Sequence, residues 1–203
     1  MTKNATDLIL RDRLQFTADA LGAQATVYGR FDLSDYTSAL ERKGLSIKEV
    51  QFQLRQPSAG NTGNFPLMGY NQANQSKSVS EISDLKLWAT TRAYENAADV
   101  GIGSPDVLCI EQWQSITGPS NGVAPGADAT NQSFLHIEHN KYGTTDLHPD
   151  GFPVVTDLLI GVAADAWLTS ADATLELDVM IIASPITITQ KQLTEMLVQG
   201  QDQ

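Results

Sequence analysis

The chain is short of cysteine, of basic residues along its second half and of long apolar runs, and each shortage removes a class of protein. Its one cysteine, Cys109, cannot close an internal disulfide, which excludes a small disulfide-stapled scaffold. Cys109 lies inside the apolar run Val107–Ile110, the setting of a buried small hydrophobe rather than a nucleophile. No apolar run approaches the length of a transmembrane helix. The opening Met1–Asp7 lacks the apolar core of a secretion signal, so no secretion is expected. The sequons at Asn4, Asn74 and Asn131 are then chance in an Asn- and Thr-rich chain.

Charged residues make up 18% of the 203 residues, and the net charge is -11. Residues 1–92 hold 11 basic and 9 acidic residues; residues 93–203 hold 2 basic ones, Lys141 and Lys191, against 15 acidic. Phosphate contacts need Lys and Arg, so no direct nucleic-acid binding is expected. The asymmetry fits a solvated acidic surface. It also fits a head-to-tail contact between copies, a near-neutral patch of one meeting an acidic patch of the next, or cation sites.

Catalytic signatures are missing too. There is no Gly-x-Ser-x-Gly and no Walker loop, and the Gly101-Ile102-Gly103 run breaks off at Pro105 before it can form a dinucleotide fingerprint. Paired carboxylates from distant strands remain open, since glycoside hydrolysis leaves no local motif.

What is present is alternation. In Ala173–Ala183 the residues Leu175, Leu177, Val179, Ile181 and Ala183 share one parity, while Thr174, Glu176 and Asp178 share the other. That is the pattern of a strand with one face buried and one wet. Similar stretches cover Leu14–Ala20, Ala25–Leu33, Ser46–Arg55, Asp84–Tyr94, Asp106–Ile116, Phe134–Tyr142, Asp157–Trp167 and Ala173–Thr189. In the second, Val27, Gly29, Phe31 and Leu33 face inward. In the third, Ile47 and Val50 differ in parity, which predicts a bulge near Lys48–Glu49. Pro185 places the end of the last strand at an edge or bend. Asp35–Gly44 reads as a helical turn or loop stopped by its glycine. The fold class is therefore all-β: an antiparallel β-sandwich or jelly roll of about eight strands, as a single domain over 1–203.

Helical periodicity is confined to the ends. Residues 5–14 read as a short helix or ordered arm, giving an N-terminal arm over 1–13. Thr189 and Gln192 have the spacing of a capping box. They open a helix and tail over 190–203, with Leu193, Met196 and Leu197 on one face and Gly200 as the stop. This helix either folds back over an open end of the sandwich or docks on a neighbouring subunit. Two long polar stretches, Pro57–Ser80 and Thr117–Thr130, are too long for passive turns and are expected to lie over the body or to contact a partner. Phe65, Leu67, Met68 and Tyr70 would pin the first.

Candidate sites follow from residue type. His136, His139 and His148 lie close in sequence, near Glu138, Asp146 and Asp150, and imidazole with carboxylate makes a metal set. On a strand, however, His136 and Glu138 share a face while His139 points the other way. Asp165, Asp172, Glu176 and Asp178 offer oxygen ligands for calcium, without the loop signature of a calcium hand. The metal candidates are thus His136, Glu138, His148, Asp165 and Asp178, and no cofactor is otherwise expected. Trp88, Trp113 and Trp167 all fall on strands, where tryptophan is core or a platform for sugars. Trp113 has the parity opposite to Leu108 and Ile110, so it is expected to face outward. Trp113, Leu193, Met196 and Leu197 are the interface candidates.

The strand succession, the Pro57–Ser80 and Thr117–Thr130 loops and the strand-to-helix ending at Thr189 together resemble the small single-barrel, jelly-roll capsid proteins of icosahedral viruses. The acidic balance is similar to capsids of halophilic or marine archaeal and bacterial viruses. The resemblance implies a self-assembling virion protein, a major or minor capsid subunit, made in a host cytoplasm. Its partners would be copies of itself and other virion proteins, and assembly would take the place of enzyme activity. The polybasic arm of capsids that bind their genome is missing, which suits a shell over a membrane or a second layer. A carbohydrate-binding or adhesin-like sandwich of a phage fibre or tail is the alternative, and a small β-barrel metalloenzyme using the three histidines is the third.

Overall fold

A computed structural model describes residues 7–17, 25–56, 81–119, 133–143, 150–165 and 174–199; residues 25, 81–82, 117–119, 133–135 and 195–199 are described by their backbone alone. Nine strands appear: β1 (Leu8–Thr17), β2 (Ala25–Phe31), β3 (Lys43–Arg55), β4 (Glu81–Thr90), β5 (Val107–Pro119), β6 (Ser133–Tyr142), β7 (Phe152–Val154), β8 (Leu158–Asp165) and β9 (Thr174–Thr187). One helix, α1 (Gln190–Gln199), follows, and a 3-10 turn spans Ala97–Asp99.

The pairing is that of one long hairpin wrapped on itself. β1 pairs with β9, β2 with β8, β3 with β7 and β4 with β5, each antiparallel. Wrapping sends alternate pairs to alternate layers, and β9–β3 and β8–β4 pairing closes each layer. The result is a four-stranded sheet, β1-β9-β3-β7, facing a five-stranded one, β2-β8-β4-β5-β6. With β6 set aside, this is a jelly-roll order, one of the sandwich arrangements that the strand count left open.

β9 is the centre of the smaller sheet. Leu175, Leu177, Val179, Ile181 and Ala183 are buried, as their parity predicted, against Leu85, Leu87, Ile160 and Val162 of the facing sheet. Pairing with β1 stops at Leu8–Ala183, so Pro185, which has no N–H to donate, lies beyond the end of that neighbour. The bulge in β3 falls where the parity switch put it: the register shifts between Ile47 and Glu49. The extra residue, Lys48, reaches Asp7 at 2.8 Å, and Asp7 also accepts a hydrogen bond from Ser184 at 2.6 Å, which ties the start of β1 to the sheet.

Several expectations are corrected. From Leu8 onward the expected helix or arm is strand β1: Leu8, Leu10, Leu14 and Phe16 share a parity and pack on the core, and the unbroken triplet Leu8–Leu10 hid the alternation. Gly44 does not stop a helix. It lies inside β3, where a Cβ would come 2.6 Å from both Ile188 Cδ1 and the Val154 carbonyl oxygen, and the left-handed residue is Arg42 with φ 55°. Val27 has the inward parity but is exposed, because β2 is an edge strand. β7, only three residues long, had no counterpart in the sequence reading. Residues 57–80 and 120–132 lie outside the described residues; Thr117–Pro119, expected as loop, extend β5.

A second apolar cluster covers the outer face of the larger sheet. Trp88, Ile110 and Ala163 are buried there beneath Ala97 and Val100 of the segment joining β4 to β5. Lys86 anchors that segment. Its ammonium donates to the Ala97 carbonyl at 2.9 Å and to the Val100 carbonyl, and burial lowers its pKa.

The capping box forms as read: the Gln192 N–H donates to Thr189 Oγ1 at 3.3 Å, and the Thr189 N–H to Gln192 Oε1 at 3.0 Å. Leu193 is buried in the chain's own fold. At 7% exposure it leaves little surface for a neighbouring subunit. Met196 and Leu197 lie in α1, with side chains outside the described set. No helix among the described residues is long and apolar enough to cross a membrane.

Candidate functional site

β6 has no counterpart in the facing four-stranded sheet, and it carries the described histidines. Register with β5 puts Lys141 opposite Glu111, His139 opposite Trp113 and Ile137 opposite Ser115 on the inner face. His136, Glu138, Asn140 and Tyr142 alternate onto the outer face.

The inner face holds a polar cluster. Glu111 is 1% exposed and meets His139 Nε2 at 2.8 Å and Lys141 Nζ at 3.4 Å through its Oε1. Its Oε2 finds no hydrogen-bond partner among the described residues. The His139 ring lies on the Trp113 indole, with centroids 4.3 Å apart and planes 8° from parallel. A buried carboxylate is stable only with partners, and β6 supplies both of them. The cluster therefore locks β6 onto β5 by side chains as well as by backbone pairing.

Trp113 is thus on the inner face, packed against the main core, contrary to its expected outward position. The inference from Leu108 and Ile110 failed because Ile110 is buried on the outer face, in the second apolar cluster, while the β4–β5 register shift beside Leu108 brings that residue into the main core. Beyond that irregularity Cys109, Glu111, Trp113 and Ser115 face inward, while Ile110 belongs to the outer cluster. Glu111 escaped the sequence reading altogether. Its signal was an acid two residues after Cys109, in strand register with a buried position.

The metal candidates are not brought together. His136 and Glu138 are 3.2 Å apart but both exposed, on the face opposite His139. His148 lies outside the described residues. Asp165 ends β8 opposite Asp84 in the larger sheet, whereas Asp178 is in the smaller one. Among the described residues no three His, Cys, Asp or Glu side chains form a metal-holding group.

Asp178 has a different role. Arg13 Nε donates to it at 2.6 Å and Arg55 Nη1 at 3.4 Å; Glu176 lies 3.5 Å from Arg13 and 3.8 Å from Arg55. The Arg13 hydrogen bond holds the Asp178 carboxyl below the usual carboxylate range. An open groove of about 650 Å³ lies beside this network, bordered by Arg11, Arg13, Gln51, Gln53 and Asp178. Arg30 meets Asp157 at 2.7 Å across β2 and the start of β8. Among the described residues, the strand order therefore sets Asp157, Glu176 and Asp178 of the acidic half against Arg30, Arg13 and Arg55 of the first half.

No protein-family model matches the chain, and no curated protein matches it. Among solved structures, the crystal structure of the Acinetobacter baumannii phage AM24 tailspike protein is similar over 75% of this chain and 28% of that one, at 11% identity and a TM-score of 0.23. The chain thus spans less than a third of that protein, and a likeness of this quality carries no argument about function.

Proposed function

We propose that the chain is a structural, self-assembling virion protein, a capsid subunit of an icosahedral virus. The observation that carries the reading is the jelly-roll strand order combined with an extra edge strand, β6, whose side chains from His136 to Tyr142 are exposed. Double-sheet jelly rolls are a recurrent architecture of viral shells, although lectins and cupins share it. In this reading the activity is burial of exposed edges and faces between copies in closed, symmetric contacts.

The sugar-binding alternative depends on an open aromatic platform. Trp88 is fully buried, and one face of Trp113 is taken by His139. Trp113 is otherwise half-buried against the core, so neither indole stands as an exposed platform for stacking on a sugar, and Trp167 lies outside the described residues. The metalloenzyme reading draws on His136, His139 and His148; His136 and His139 lie on opposite faces of β6, and His148 lies outside the described residues.

Size-exclusion chromatography with light scattering, followed by negative-stain electron microscopy across salt and calcium concentrations, tests the proposal. Closed particles or large symmetric oligomers are the expected result. A monomer under every condition overturns it.

A further inference from the structure

A free strand edge is a template for another strand, and proteins guard such edges with short strands or inward-pointing charges. In the smaller sheet β7 is three residues long and β1 carries Asp12 at an inward-parity position. β6 is ten residues long, and no described element pairs with its outer side. Its inward Lys141, which would otherwise discourage pairing, is held by Glu111 of its own sheet. At the middle of the strand stands Ile137, 44% exposed, flanked by His136 and Glu138.

We infer that the edge of β6 with which no described element pairs is the contact for β6 of a second copy of this chain, in antiparallel register about a two-fold axis at Ile137. A two-fold axis normal to the sheet keeps both inner faces on one side, so only residues of like parity face each other. With Ile137 on the axis, each His136 faces Glu138 of the second copy, and the two isoleucines cover each other. The next permitted register on one side sets Glu138 against Glu138, and on the other His136 against His136. Two carboxylates directly opposite one another are unfavourable, and only the register centred on Ile137 sets each His136 imidazole against a Glu138 carboxylate while the two isoleucines cover each other, so the order His136-Ile137-Glu138 favours it. The two five-stranded sheets then join as one continuous ten-stranded sheet. This contact deepens the assembly reading and rests on it, naming the first partner of the subunit.

Cross-linking reads the register directly. Residues facing across an antiparallel pair have Cα atoms about 4.5–5.5 Å apart, inside the window of about 4.4–6.8 Å for a disulfide. Ile137→Cys should give a covalent dimer under mild oxidation, whereas Glu138→Cys should not; native Cys109 is buried and does not compete. In light scattering, His136→Glu should weaken dimerisation about tenfold by creating two like-charged pairs. Adding Glu138→Lys to it should restore the wild-type association. Unchanged circular dichroism confirms that these exposed substitutions leave the fold intact.

Absence of an Ile137→Cys dimer, equal cross-linking at Glu138→Cys, or a His136→Glu variant that associates normally overturns the contact. Closed particles from a chain that fails these tests overturn the contact and leave the shell reading standing. A cross-linked dimer that forms nothing larger does the reverse.

Discussion

Gly161 lies flat against the indole of Trp88: a Cβ built on the glycine would come 2.0 Å from Trp88 Cε2. Trp88 cannot retreat, because Tyr28 meets it edge-on at 5.5 Å and the Ala97–Val100 segment covers it. Gly161→Ala should therefore cost about 1–3 kcal/mol as an overpacking change, seen as a lower urea midpoint with unchanged slope. Gly103→Ala is the control. Nothing lies within 4 Å of a Cβ there, and the change should stay within about 0.5 kcal/mol of wild type.

The Arg13–Asp178 pair makes stability fall in acid. The folded pKa of Asp178 is held below its ordinary 3.8, first by the hydrogen bond from Arg13. Its contribution is complete above 3.8 and is lost as pH falls through the depressed folded value. Chemical denaturation between pH 2 and pH 7 should show a shallower acid limb for Asp178→Asn than for wild type. Identical limbs would remove this pair from the acid response.

Burial pushes the Cys109 thiol up to about 12, so almost no thiolate exists near neutral pH. An aromatic disulfide reagent should label the native protein only as fast as the chain opens, and should label it at once in denaturant. Rapid stoichiometric labelling of the native protein would show that Cys109 is accessible.

Thr189 starts α1 through its side chain. Thr189→Ala should cost about 1 kcal/mol and should raise amide exchange at the start of the helix before it affects β9. Thr189→Ser keeps the hydroxyl and should behave as wild type.

Features with a local cause were legible in the sequence. Alternation gave β9 and its buried face, the parity conflict between Ile47 and Val50 gave the bulge, and Thr189 with Gln192 gave the cap. Features set by pairing over long distances were not. Nothing near Trp113 announces that Ile110 is buried on the outer face beneath the Ala97–Val100 segment, which leaves Trp113 on the inner one. Tyr94, Ala97 and Val100 have no periodicity, so their role as a lid over Trp88 appears only once β4 and β8 lie side by side. For the candidate site, the His136–Glu138 face was readable from parity. The acid that clamps the opposite face, Glu111, was not, because its partners are supplied by a later strand.

The position of β9 between β1 and β3 has a consequence for synthesis. The described pairing of β1 is entirely with β9, and β3 otherwise pairs only with the short β7. Until residues 174–187 have left the ribosome, the first two strands of the smaller sheet have no long neighbour and their edges stay unpaired. Such non-local closure is slow and exposes the nascent chain to aggregation. Yield on expression should depend on chaperone supply and temperature more than on the stability of the finished fold.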